Sequence, residues 1–299
     1  MDVAQFTPGS IVVGTDGSTF SEGAIDWAAD QAALESRPLI VVHATAPVSP
    51  STLAVYPAGD LEVTRLLDDA HAAAQLILTT AAARARDRHP EIEVHHVLSV
   101  ADPRAVLLDL SEHAATIVVG SRGRGPIASL LLGSVSVSVS RHASCPVVVW
   151  RAHASPRSDH QIVVGVDGRP HSIPAIEFAC RMAAFRGDTV TVLHCTWTAP
   201  PVTSLHDDAP PPDLSAERAL VAESLAGMAE LYPDVALEVR MVSGSVDHHL
   251  VLASRDHDLV VVGHQRMGHL RELVHDSVAP IVLEHAQGPV AVVPSLGQR

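Results

Sequence analysis

Short apolar runs alternate along this chain with longer segments in which apolar residues recur every three or four positions. Ile11–Gly14 is the first run and reads as a buried strand. Thr19 is expected to cap the helix that follows, with Glu22 three residues later closing a capping box. Ile25, Ala28, Ala29 and Ala32 give that helix one apolar face, and Pro38 ends it. Leu39–His43 reads as a second strand. A loop bearing Pro47, Pro50 and Pro57 leads into an alanine-rich helix from about Leu61 to Arg88. Ile92–Leu98 alternates apolar and polar residues and gives a third strand, and Asp102-Pro103 opens a helix running to Ala114. Thr116–Gly120 and Val147–Trp150 complete a set of five strands. Strands alternating with helices imply an α/β fold: a parallel sheet covered on both faces by right-handed crossovers.

The pattern then repeats. Ile11-Val12-Val13-Gly14-Thr15-Asp16-Gly17 returns as Ile162-Val163-Val164-Gly165-Val166-Asp167-Gly168. Ile117-Val118-Val119-Gly120 returns as Val260-Val261-Val262-Gly263, and Cys145-Pro146-Val147-Val148-Val149 as Gly288-Pro289-Val290-Ala291-Val292. The order is the same in both halves. Two tandem doubly wound domains are therefore expected, spanning residues 1–150 and 161–299. The polar stretch 151–160, which contains Ser155-Pro156, is the expected linker.

The candidate chemistry lies late in the first half. Gly120-Ser121-Arg122-Gly123 follows the apolar run Thr116–Val119, and Gly133-Ser134 opens the next helical stretch. Glycines at a strand end let backbone N–H groups approach an anion, and a helix start offers further N–H groups and a hydroxyl. The set describes a pocket for phosphates. Arg122 and Arg124 would place two positive charges there. Other phosphate loops are excluded. All 20 basic residues are arginine, so no lysine exists for a P-loop. Gly14-Thr15-Asp16-Gly17-Ser18 lacks the dinucleotide-binding spacing.

Composition narrows the partners. Apolar residues make up 47% of the chain, enough for two cores, and with only 3% aromatic residues those cores must be Val, Ala, Leu and Ile. A net charge of −14 argues against sequence-independent binding to nucleic acid or anionic lipid, and no 18-residue apolar run or leader suggests a membrane segment. Cys145, Cys180 and Cys195 have no metal or redox spacing and read as reduced core residues of a cytoplasmic protein. The 19 histidines show no zinc-type spacing, so no metal site is expected. Their full protonation would carry the net charge from −14 to +5.

The residues Val12–Ser18, His43-Ala44, Val118–Gly123, Leu131–Ser136 and Arg141–Val149 make the chain resemble tandem-domain universal stress proteins of the nucleotide-binding type. The resemblance implies a five-stranded sheet in the order 3-2-1-4-5 in each domain. It implies that Asp16 and Thr15 meet the adenosine and that Ala44 lies near the adenine. Gly120, Gly123, Gly133, Ser134 and Val135 then meet ribose and phosphates, with Val119 at the strand end and Arg122 in the loop beside them. The implied ligand is ATP, alone or as its magnesium complex, and no catalytic residues are expected. In the second half Arg169 replaces Ser18, Arg266 and Asp276 replace the second and third glycines, and Ser277 survives; Gly268 could substitute in part only through a shifted loop, and triphosphate binding is expected to be lost or much weakened there. The two halves are expected to pair through their last strands as an intrachain pseudo-dimer, and a homodimer of whole chains stays open. The leading function is an ATP-binding regulator of a stress response, with an unknown protein partner and at most slow hydrolysis. The alternatives are a nucleotide-independent interaction scaffold and an adenylate-forming enzyme.

Overall fold

The computed structural model describes residues 8–47, 61–123, 132–152, 161–196, 214–264 and 278–295. The expected linker from 153 to 160, Arg124, and the second-half residues Arg266, Gly268, Asp276 and Ser277 lie outside the described residues. The chain divides into two compact units, Met1–Arg151 and Ala152–Arg299.

In the first unit, β1 (Ile11–Gly14), α1 (Thr19–Glu35), β2 (Leu39–Ala44), α2 (Leu61–Arg88), β3 (Val94–Ser99), α3 (Pro103–Ser111), β4 (Thr116–Gly120), α4 (Ser134–His142) and β5 (Val147–Trp150) follow in order. The strands lie in the order β3-β2-β1-β4-β5, and every pair is parallel. In register, Val12 sits between Ile40 and Ile117, and Gly120 pairs with Trp150. Ile11, Leu39 and Ile117 have no exposed surface, as a sheet covered on both faces demands. β3 is an edge strand and only half-buried, which is why its sequence alternates. It begins at Val94, two residues after the expected Ile92, and α3 ends at Ser111, short of Ala114.

Helix α1 packs on α2 and α3 packs on α4, each pair laid against the sheet. The α1–α2 contact is charged. Arg84 forks onto the Asp26 carboxylate, Arg88 forks onto Asp30, and His89 Nε2 lies 2.8 Å from Asp30 Oδ1. Gly23 lets the ring of Trp150 lie directly against α1, because a Cβ there would fall inside the indole.

The second unit repeats the plan. Its elements are β6 (Gln161–Val166), a 3-10 turn (Pro170–Ser172), α5 (Ile173–Arg186), β7 (Thr189–Thr196), α6 (Ser215–Ser224), α7 (Met228–Leu231), β8 (Leu237–Ser243), α8 (Val246–Ala253), β9 (Leu259–His264), α9 (Val278–His285) and β10 (Val290–Pro294). Its strands lie in the order β8-β7-β6-β9-β10, again all parallel. Cys145 and Cys180 are buried and Cys195 is partly so; burial pushes the Cys145 thiol up to about 12.

Candidate functional site

In each unit the order of strands reverses direction beside the first strand, so the chain leaves β1 and β4 toward opposite sides. A crevice opens at their carboxyl ends, the usual ligand position in an open α/β sheet. In the first unit, that crevice collects the residues singled out in the sequence.

The β1 side is a tightly bonded turn. Thr15 N–H donates to Val42 O at 2.8 Å, and His43 Nδ1 lies 2.7 Å from Thr15 O. A carbonyl only accepts, so the ring nitrogen is the donor. Asp16 Oδ1 accepts the Ser18 N–H at 3.0 Å, and Gly17 turns the chain at φ +72°. A side chain at that φ would be strained, which makes glycine the fitting residue. The turn delivers Ser18, not Thr19, as the cap of α1: Ser18 Oγ accepts Ser21 N–H at 3.3 Å, while Thr19 is already the first helical residue. The capping box expected from Thr19 and Glu22 is therefore corrected by one residue. The Asx turn at Asp16 and the positive φ at Gly17 bring the chain into helix earlier.

The β4 side is held to α1 and α4. A Cβ on Gly120 would stand 2.9 Å from the Phe20 backbone, so only glycine lets the end of β4 approach the first turn of α1 this closely. Ser121 N–H donates to Trp150 O at 2.8 Å, and Gly133 N–H donates to Ser121 O at 2.8 Å. Ser136 Oγ donates to Gly120 O at 2.8 Å. The ends of the loop between Gly120 and Gly133 are thus drawn together. Gly133 is the N-cap of α4 and supplies no side-chain cap, which leaves the start of that helix open to an anion. Ser134 is exposed at that start and Val135 is half-buried.

The two sides meet. A Cβ on Gly123 would run into Asp16 Oδ2, so the Asp16 carboxylate lies over Gly123. The Arg122 guanidinium stands 5.6 Å from the centre of the Phe20 ring, a cation–π distance that holds its charge above the first turn of α1. Burial, and then the charge on Arg122, lower the pKa of Arg151, which follows β5. Ala44 is half-buried at the end of β2, opposite Ser99, and Val119 is buried at the end of β4 beside Gly14.

All ten candidate residues thus sit at the carboxyl ends of β1, β2 and β4 or at the start of α4. Three further residues had been given no role of their own: Phe20 was not singled out, and His43 and Ser121 were named only as parts of motifs. Phe20 supports both Gly120 and Arg122, and His43 fixes the Thr15 carbonyl. Ser121 is buried with its hydroxyl unpaired among the described residues. A buried unpaired hydroxyl is costly, so one inside a glycine loop invites a ligand oxygen. Its position between the two glycines was the available signal.

The corresponding turn of the second unit is built differently. Asp167 accepts from Ser172 Oγ at 2.6 Å and from Arg169 N–H at 3.0 Å, and His171 Nε2 lies 2.8 Å from its second oxygen. Burial pushes the Asp167 carboxyl up, but the Ser172 hydroxyl, the Arg169 amide and the charges of His171 and Arg169 outweigh it and hold it below the usual range. A Cβ on Gly263 would meet nothing closer than 3.8 Å, so β9 and α5 do not approach as closely as β4 and α1. Among the described residues of both units, no cluster of three or more His, Cys, Asp or Glu could hold a metal, and no helix is long and apolar enough to cross a membrane.

Comparison with known proteins agrees with this architecture. The universal stress protein family profile matches residues 9–151 and again residues 160–294. A universal stress protein of Mycobacterium tuberculosis is 35% identical over 291 residues, which covers 94% of this chain and 96% of that protein. One from Mycolicibacterium smegmatis is 32% identical over 302 residues, covering 97% and 99%. The crystal structure of a universal stress protein from Archaeoglobus fulgidus shares the fold with a TM-score of 0.71 at 18% identity, covering 97% of this chain and 100% of that one. With the profile matched in both halves and these relatives aligned nearly end to end, the chain belongs to the universal stress protein family.

Proposed function

We propose that the first unit binds one adenine nucleotide, ATP, in the crevice between β1 and β4, and that the chain acts in the cytoplasm as a nucleotide-dependent regulator of a stress response. The observation that carries this reading is the meeting of the two loops: Asp16 lies over Gly123 beside the uncapped start of α4. The residues present suit such a ligand. Asp16 offers a carboxylate to ribose or base hydroxyl and amine groups, and Ala44 leaves room beside the end of β2. Gly120, Gly123 and Gly133 keep the backbone bare, Ser121 and Ser134 offer hydroxyls, and Arg122 offers charge to phosphate oxygens. Magnesium would accompany the triphosphate and balance its charge. The reading assigns no catalytic residue, so any hydrolysis is expected to be slow, and the regulated partner would be another protein. In the second unit the aspartate is engaged by its own neighbours, which favours a role there that does not depend on nucleotide.

Calorimetric titration tests the reading. Wild-type protein should take up one ATP per chain. The double variant Gly123→Arg/Gly133→Asp, which copies the second half's residues, should stay folded and take up none. ATP uptake by that variant equal to wild type would refute the assignment.

A further inference from the structure

The two repeats begin their first turn alike and then treat the aspartate differently. His43 Nδ1 lies 2.7 Å from Thr15 O, and His194 Nδ1 lies 3.0 Å from Val166 O, so the second strand pins the end of the first in both units. Beyond that point the hydrogen bonds diverge. In the first unit, Ser21 Oγ donates to Ser18 O at 2.8 Å. Its one hydroxyl hydrogen is then used, so in the 3.1 Å contact between the two hydroxyls Thr15 must donate to Ser21. Thr15 Oγ1 in turn accepts the Gly17 N–H at 3.2 Å. In the second unit the place of Thr15 is taken by Val166, which has no hydroxyl. There the counterpart of Ser21 turns to the aspartate. Ser172 Oγ donates to Asp167 Oδ1 at 2.6 Å and accepts the Asp167 N–H at 3.2 Å.

We infer that Thr15 is a positioning residue whose hydroxyl holds Ser21 against the Ser18 carbonyl, so that the Asp16 carboxylate stays directed at the β4 loop and its ligand. A hydroxyl bonds a carboxylate more strongly than it bonds a neutral carbonyl. Released from Thr15, Ser21 is therefore drawn to Asp16, as Ser172 is to Asp167 beside Val166. One side chain thus separates a turn whose serine bonds a backbone carbonyl from a turn whose serine bonds the aspartate. The inference rests on the nucleotide reading given above and adds a residue that governs the site without touching the ligand's reacting groups.

The test is ATP titration of the full chain and of four variants. Thr15→Val should weaken binding by about tenfold or more, because it trades a ligand contact of a carboxylate for an internal one. Thr15→Ser, which keeps the hydroxyl, should bind like wild type. Thr15→Val/Ser21→Ala removes the competing hydroxyl and should recover affinity to within about threefold of wild type. A merely structural role for Thr15 predicts the reverse, with the double variant weaker than Thr15→Val. In a carboxylate-resolved NMR titration, the Asp16 pKa should fall in Thr15→Val and return in the double variant. Gly123→Arg separates the two ideas. If it loses ATP while Thr15→Val binds like wild type, the nucleotide site stands and the role of Thr15 is wrong. If Gly123→Arg itself binds like wild type, the nucleotide reading fails and the inference fails with it.

Discussion

The Asp16 carboxylate occupies the space into which a side chain on Gly123 would project. These residues are far apart in sequence, on loops leaving different strands. Their contact closes the crevice at the point where the order of strands reverses. It also makes the glycine at 123 a requirement of this contact rather than of the core, because Gly123 itself is exposed.

Gly123→Ala should therefore separate binding from stability. The added methyl must push the Asp16 carboxylate aside, and ATP affinity should fall by about tenfold, equal to ~1.4 kcal/mol. The melting temperature should hardly move, since nothing in the core is touched. Calorimetric titration and thermal denaturation of the same sample check both halves. Unchanged affinity would mean that Asp16 does not meet the ligand from this position.

Gly23→Ala tests the packing of Trp150 on α1. Helix propensity alone predicts stabilisation by about 1 kcal/mol, since alanine is the better helix former. A Cβ at this position falls inside the indole of Trp150, so overpacking should win, with a net loss of about 1–3 kcal/mol. Urea denaturation gives the sign directly.

The Asp30–Arg88–His89 cluster joining α1 to α2 should shape the dependence of stability on pH. The hydrogen bond to Asp30 is the main cause that raises the His89 pKa. A raised folded pKa stabilises fully below the unfolded value of about 6.5 and is lost as pH rises through the folded value. Burial pushes Asp30 up, but its bonds to Arg88 and His89 outweigh this and lower it. That contribution is present above the unfolded value of about 3.8 and is lost as pH falls through the folded one. The cluster therefore contributes most between these limits. The groups are partly exposed, so salt should weaken the effect. His89→Gln should flatten the part of the wild-type decline that sets in as pH rises above about 6.5. Parallel slopes in the two proteins would contradict the pairing.

Much of the framework was legible in the chain because parallel strands buried on both faces leave unbroken apolar runs. β1, β4 and β5 end where Gly14, Gly120 and Trp150 end those runs, and α2 covers the expected Leu61–Arg88. Asp16, Gly120 and Gly133 could be placed at strand ends and at a helix start because apolar runs and glycines mark those boundaries in the chain. The cap of α1 was misplaced by one residue because Ser18 and Thr19 are chemically equivalent caps. Only the φ at Gly17 and the Asx turn at Asp16 decide between them. Helix α3 stops short of Ala114 and β3 starts after Ile92 because local pattern does not reveal where tertiary packing ends. The partner choice of Ser21 and the support of Gly120 by Phe20 were not legible at all, and for Ser121 the chain showed the position but not the unpaired hydroxyl. Each depends on which groups a distant strand or loop leaves unoccupied.

The central claim is that the first unit holds one adenine nucleotide. The most direct measurement is the identity and molar amount of nucleotide released when freshly purified protein is denatured, combined with ATP titration of protein stripped of it. The account predicts adenine nucleotide as the released species and one ATP site per chain after stripping. It is contradicted by a protein that releases none and takes up none at millimolar ATP. It is equally contradicted by two equivalent sites, because Asp167 would then take up ligand despite its bonds to Ser172 and Arg169 and its contact with His171.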